Sequence, residues 1–114
     1  MPQYLITIFR SQGFDPARSV DAAMSQAIDV LNQEMIDAGI RIYVGGLMPP
    51  ATARSIRCGD DGTITPATGT YLATNEYIDG LWVIEAADAD VAEAWGRKAA
   101  LACRASVEVR PFYS

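Results

Sequence analysis

The sequence predicts an α+β domain in which two helices cover one face of an antiparallel sheet. Three observations predict it. Val20, Met24, Ala27, Leu31, Met35 and Ala38 recur at spacings of four, three, four, four and three, one apolar stripe of helical period. Val91, Trp95, Ala99 and Ala102 repeat that stripe at four, four and three. Around both lie short runs rich in β-branched and aromatic residues: "QYLITIF", "IRIYVGGL", "GLWVIEA" and "SVEVRP".

The elements follow in order. Gln3 to Phe9 is the first strand, and "SQGFDP" is a loop. Asp15 is placed to cap a helix that begins at Pro16, where a missing N–H costs nothing. Gly39 ends that helix in the left-handed conformation. Ile40 to Leu47 is a second strand, with Gly45 and Gly46 as a bulge or bend. "MPPAT" breaks the chain, Ala53 to Cys58 is a third strand, and "GDDG" reverses it. "TIT" is a short return strand that Pro66 is expected to stop. Gly80 to Ala86 is a strong strand, and Asp88 caps the second helix. Gly96 inside that helix weakens it by about 1 kcal/mol relative to Ala, so a close contact is expected there. The last strand turns Val107 and Val109 one way and Ser106, Glu108 and Arg110 the other.

The order β-α-β-β-β-α-β, with both helices on one face, is the ferredoxin-like arrangement, and residues 1–114 are read as a single domain. Strand side chains alternate, so two helices cannot cover Leu5, Phe9, Trp82 and Ile84 together. A homodimer packing sheet against sheet, a dimeric α/β barrel, would cover the remainder and enclose a cavity.

Composition narrows the function. A formal charge of -5 lacks the basic footprint of a nucleic-acid binder and disfavours an anionic membrane. No apolar run reaches a membrane span, and "MPQYLITIFR" lacks the parts of a signal peptide, so a cytoplasmic location is expected. Cys58 and Cys103 read as free buried thiols. Histidine is absent, which excludes a Ser-His-Asp triad within the chain and leaves proton transfer to Asp, Glu, Tyr, the single Lys98 or a thiol. Neither a metal nor a cofactor is expected: two separated Cys make a poor zinc site, and Gly45-Gly46 lacks the context of a phosphate loop. Asp88 and Asp90 read as helix caps and dipole partners.

From Gly46 to Pro111 the segments "GLMPPATARSIR", "TGTYLATNEYIDGLWVIEAADADVAEAW" and "VEVRPF" follow one another, and in that order they resemble the YCII-related family in its DGPF-motif branch. "GLMPPATARSIR" is similar to that branch's "GL-x-PP" segment and the "AT-x-x-x-R" strand after it. "TGTYLATNEYIDGLWVIEAADADVAEAW" resembles its DGPFAETKE-type motif, a strand ending in Ile-Glu, an Asp-rich cap and a Trp-bearing helix, and "VEVRPF" resembles its last strand. The resemblance implies a dimeric ferredoxin-like barrel and a pocket beside the motif. It also implies roles as various as small-ring isomerisation, dehydrochlorination and association with sigma factors. The motif departs from the pattern: Thr68, Gly69, Thr70 and Tyr71 replace its Asp-Gly-Pro-Phe core. Ala73 and Asn75 replace charged positions, Thr74 and Glu76 remain, and the family's histidine is missing.

Thr68 to Asp79 suits neither a regular helix nor a central strand and is expected to form the wall of that pocket. Glu76 is the candidate general base, a role open to a partly desolvated carboxylate; a turn cap or a pairing with arginine is the structural alternative. Tyr71 is a candidate donor, and Tyr77 and Thr68 are candidate ligand contacts; interface packing is the competing role for the tyrosines. Arg110 is the candidate anion holder, with Glu108 on the same face, although a mutual salt bridge would occupy both. Arg54 is a further candidate for the cavity. Two functions therefore stand side by side. One is a homodimer that binds a compact organic ligand and catalyses a proton transfer such as isomerisation or elimination. The other is a non-catalytic ligand sensor or protein-interaction module linked to sigma-factor-type transcription regulation.

Overall fold

The computed structural model describes residues Met1–Ser114. Its frame is a four-stranded antiparallel sheet in the order β2-β5-β1-β6, built from β1 (Gln3–Ser11), β2 (Arg41–Gly46), β5 (Glu76–Glu85) and β6 (Ser106–Pro111). Helices α2 (Ala22–Asp37) and α3 (Ala89–Cys103) lie on one face. The fold is α+β and compatible with the ferredoxin-like plan. Between β2 and β5 the chain makes a 3-10 turn (Pro50–Thr52) and then a separate hairpin, β3 (Arg54–Cys58) with β4 (Ile64–Thr68). The expected β-α-β-β-β-α-β order is corrected by one strand, because Pro66 does not stop β4. It stands opposite Ile56. Backbone hydrogen bonds join Gly59 to Thr63 and Gly69 to Ala53, so the alternation of the ladder puts Pro66 at a position that needs no N–H.

The first helix starts later than its apolar stripe implies. Asp15 caps only a single turn, α1 (Pro16–Ser19), and the chain extends at Val20. Asp21 then caps α2, its Oδ1 accepting from the Met24 N–H at 2.8 Å. Val20 is therefore exposed, while Met24, Leu31 and Met35 carry the buried face. Gly39 closes α2 with φ +70, and the Gly39 and Ile40 N–H groups donate to Ile36 and Met35, the paired pattern of a Schellman motif. Asn32 lies beside the buried stripe and turns inward. Its Oδ1 accepts from the Trp82 indole at 2.9 Å and from Arg41 at 3.1 Å, which satisfies the one polar atom of a buried tryptophan.

In α3 the buried line is rotated from the expected one. Ala92, Gly96, Ala99, Ala102 and Cys103 are buried, Val91 is exposed, and Trp95 packs against the core from a half-buried position. The reason is Gly96. A Cβ there would lie 2.5 Å from Cγ2 of Val109, so the helix rests directly on β6 along its small residues. Gly96→Ala gains about 1 kcal/mol of helix propensity and meets an overpacking cost of about 1–3 kcal/mol. A net loss of about 1 kcal/mol is the expected result in urea unfolding, and Val109→Ala in the same chain should relieve it.

Tyr4, Ile6 and Ile8 of β1 and Trp82 and Ile84 of β5 face the helices and form the core. The opposite face carries Leu5, Thr7, Phe9, Leu81 and Val83; Thr7 is buried between its neighbours, the others are half-buried, and no helix packs on this face, which only the segment around the 3-10 turn approaches at one end. Two bulges shape the sheet. One inserts Ile42 into β2; Gly45 and Gly46, expected to bend the strand, remain paired with Leu81 and Gly80. The close approach belongs to Gly80, where a Cβ would lie 2.9 Å from the Gly45 carbonyl, whereas a Cβ on Gly46 would meet nothing. The second bulge inserts Asp79 into β5, between the pairs Ile8–Gly80 and Phe9–Ile78. No helix is long and apolar enough to cross a membrane.

Candidate functional site: a cleft beside the open sheet face

The bulge at Asp79 decides what the N-terminal end of β5 presents. In an uninterrupted strand Leu81, Asp79 and Tyr77 would share the open face. With one extra residue, Ile78 pairs with Phe9 and Glu76 with Ser11, so Ile78 and Glu76 take that face instead. They meet a cleft of about 780 Å³. Phe9 and Ile78 form its floor. The segment from Leu47 to Ala53, stiffened by Pro49 and Pro50, forms one wall. Thr70, Tyr71, Leu72 and Thr74 form the other, and Glu76 and Tyr77 stand at its edge. The lining is largely apolar, with threonine hydroxyls and a single carboxylate, a composition suited to small organic molecules.

Local hydrogen bonds hold the walls. Gln12, just past β1, donates from its backbone to Asn75 at 2.9 Å and from its side chain to the Thr74 carbonyl at 3.0 Å. The Thr74 hydroxyl donates to the Glu76 carbonyl, and the Thr70 hydroxyl to the Leu72 carbonyl. Arg57 lies over the Tyr71 ring at 4.6 Å and donates to the Tyr71 carbonyl at 3.3 Å. The facing wall is tied to β5 by the Leu47 N–H, which donates to the Asp79 carbonyl at 2.7 Å.

Three of the expected site residues, Glu76, Tyr71 and Tyr77, therefore line one cleft. The others do not. Arg54 and Thr68 face each other at the base of the hairpin, outside the lining. Arg110 and Glu108 lie on the open face but pair with each other at 2.7 Å, both exposed. They stand opposite Leu5 and Thr7, whereas Glu76 stands opposite Ser11. At the usual strand rise this sets Glu108 about 13 Å and Arg110 about 20 Å from the level of Glu76. Within one chain Arg110 cannot act beside Glu76. The cause is the register of β6, which no single strand sequence reveals.

A second group underlies the cleft. Arg10 is 7 % exposed; its Nε donates to Asp79 Oδ2 at 3.2 Å, its Nη1 to the Cys103 carbonyl at 2.5 Å, and Phe14 lies against it at 4.3 Å. The guanidinium thus joins the bulge in β5 to the C-terminal carbonyls of α3, where a cation is favoured. Sequence reasoning gave Arg10 no role, although it continues the alternation of Tyr4, Ile6 and Ile8. Cys103 lies in the same group, and burial pushes its thiol up from the ordinary value, with Arg10 opposing and Asp79 adding to the effect. It is an inert core thiol at neutral pH. Cys58, expected to be buried, is exposed on the hairpin. No cluster of three His, Cys, Asp or Glu side chains is placed to hold a metal ion.

Fold and cleft define an α+β protein of ferredoxin-like plan with an apolar recess at one end of its sheet. The sequence model of the YCII-related domain matches residues 3–113, and the chain belongs to that family. A search among curated proteins finds no significant match.

Proposed function

We propose that this protein is a homodimer that binds a compact, neutral or weakly anionic organic molecule in the cleft between Phe9, Tyr71 and Ile78. We place it in the DGPF-motif branch of its family, in a diverged form. The observation that carries the reading is the cleft itself: about 780 Å³, lined by apolar side chains and hydroxyls, with Glu76 the one ionisable carboxylate at its edge. Glu76 is the group that would take a proton from a bound carbonyl compound in an isomerisation or elimination, with Tyr71 as a hydrogen-bond donor. Arg110 reaches such a site only from a second copy.

A specific observation favours the alternative, binding without chemistry. Glu76 is exposed to water in the single chain, without the dry setting that proton-transfer chemistry favours. A ligand sensor or protein-interaction module needs the recess alone. Calorimetric titration with neutral aromatic and carbonyl compounds tests the binding shared by both readings. Saturable binding is expected, and Ala53→Trp, which fills the cleft from its wall, should abolish it with little change in melting temperature. Binding that survives Ala53→Trp would place the ligand elsewhere.

A further inference from the structure

The β3–β4 hairpin stands apart from the sheet. Its strands pair only with each other. From the hydrogen bond between Gly69 and Ala53 to the Asp60–Asp61 turn it runs about 20 Å at the usual strand rise. Its register gathers Ile56, Pro66, Cys58 and Ile64 on one face, where Ile56 is 63 % and Ile64 56 % exposed. A two-stranded ribbon with a bare apolar face is marginal in water.

Surface area indicates how much is left uncovered. A compact monomer of 12.3 kDa exposes roughly 6,100 Å², whereas this chain exposes 7784 Å², roughly 1,700 Å² more. Its radius of gyration is 16.0 Å, against about 13 Å for a compact chain of this length. A stable interface takes roughly 800 Å² from each partner. The excess is therefore large enough for a contact through the open sheet face and a second contact through the arm. The arm's face is apolar, the sheet face carries Leu5, Phe9, Leu81 and Val83 beside the paired Arg110 and Glu108, and both belong to one chain, so a two-fold axis satisfies them together with no other kind of partner. The arm also springs from the cleft, since Ala53 at its base lines the same recess as Phe9 and Ile78.

We propose that the hairpin arm of each protomer lies across a second copy of the chain, its Ile56–Ile64 face closing that copy's cleft over Phe9 and Ile78. This rests on the homodimer reading above and adds that each cleft is completed by the other chain. Desolvation of Glu76 would then come from assembly.

Cys58 reports on the arm directly, because it lies on the arm's apolar face and is exposed in the single chain, while Cys103 is buried. Sedimentation is run together with modification by N-ethylmaleimide, on the wild type and on the double variant Ile56→Asp/Ile64→Asp. The expected result is a mass of two chains for the wild type, with Cys58 modified at least tenfold more slowly than in the variant. A doubled mass with Cys58 reacting as fast as in the variant would overturn the arm contact and leave the dimer standing. A single-chain mass at micromolar concentration would overturn both.

Discussion

Arg10→Met is expected to lower the unfolding free energy by about 3 kcal/mol, near the lower end of what removing one partner of a buried ion pair costs. The guanidinium is almost wholly buried, and its loss strands Asp79 without a cation and the Cys103 carbonyl without its donor. Asp79 is partly exposed and recovers some hydration, which keeps the loss from being larger. Arg10→Lys should behave nearly as badly, because an ammonium cannot reach Asp79 and the end of α3 at once. Arg10→Met with Asp79→Asn should regain part of the loss, since the second change removes the unpaired charge. Chemical denaturation of the wild type, Arg10→Met, Asp79→Asn and the double variant measures this cycle, with Arg10→Lys run alongside. A loss below 1 kcal/mol for Arg10→Met would show that the guanidinium does not hold the bulge to the helix.

Glu76→Gln separates the two functions. The amide keeps the shape of the side chain and removes its charge and basicity. If the cleft carries a proton transfer, turnover of whichever compound the wild type converts should fall by ~10²-fold or more, with binding retained. A fall in melting temperature with parallel weakening of binding would make Glu76 a structural residue. A variant unchanged in stability, binding and turnover would remove Glu76 from the site. The loop around it is held by Gln12, Thr70 and Thr74 through bonds that leave the carboxylate free, so little loss of stability is expected.

The frame of the fold was legible because its signals are local. Runs rich in β-branched and aromatic residues mark β1 and β5, alternation marks β6, the Schellman glycine marks the end of α2, and Gly96 announces the approach of α3 to β6. The misplaced features are those set by pairing. Pro66 stays within β4 because of its place in the ladder, and Asp21 takes over from Asp15 because the chain extends at Val20. The cleft wall was legible in part: Thr68 to Asp79 reads as chain suited to neither a helix nor a central strand, and Tyr71, Glu76 and Tyr77 line the cleft, but Thr68 ends β4 and Glu76 to Asp79 belong to the central strand β5. Arg110 and Glu108 were assigned from a strand face, Arg54 from the resembling segment and Thr68 as the start of the wall. A face does not give distance along the sheet, and the register places Arg110 and Glu108 apart from Glu76, while Arg54 and Thr68 pair at the base of the hairpin outside the cleft lining. Arg10 was overlooked because a charged residue at a strand end ordinarily points to water. Here the Asp79 bulge and the end of α3 give it three acceptors in the interior.

The cleft is the proposed place where this protein meets its ligand. A crystal structure grown with a neutral aromatic or carbonyl compound that binds in calorimetry tests that most directly. The compound is expected against Phe9, Tyr71 and Ile78, with a polar atom within hydrogen-bond reach of Glu76 or Thr70 and a second copy of the chain over the recess. The compound seated elsewhere on the molecule, with this cleft open to solvent, would contradict the proposal.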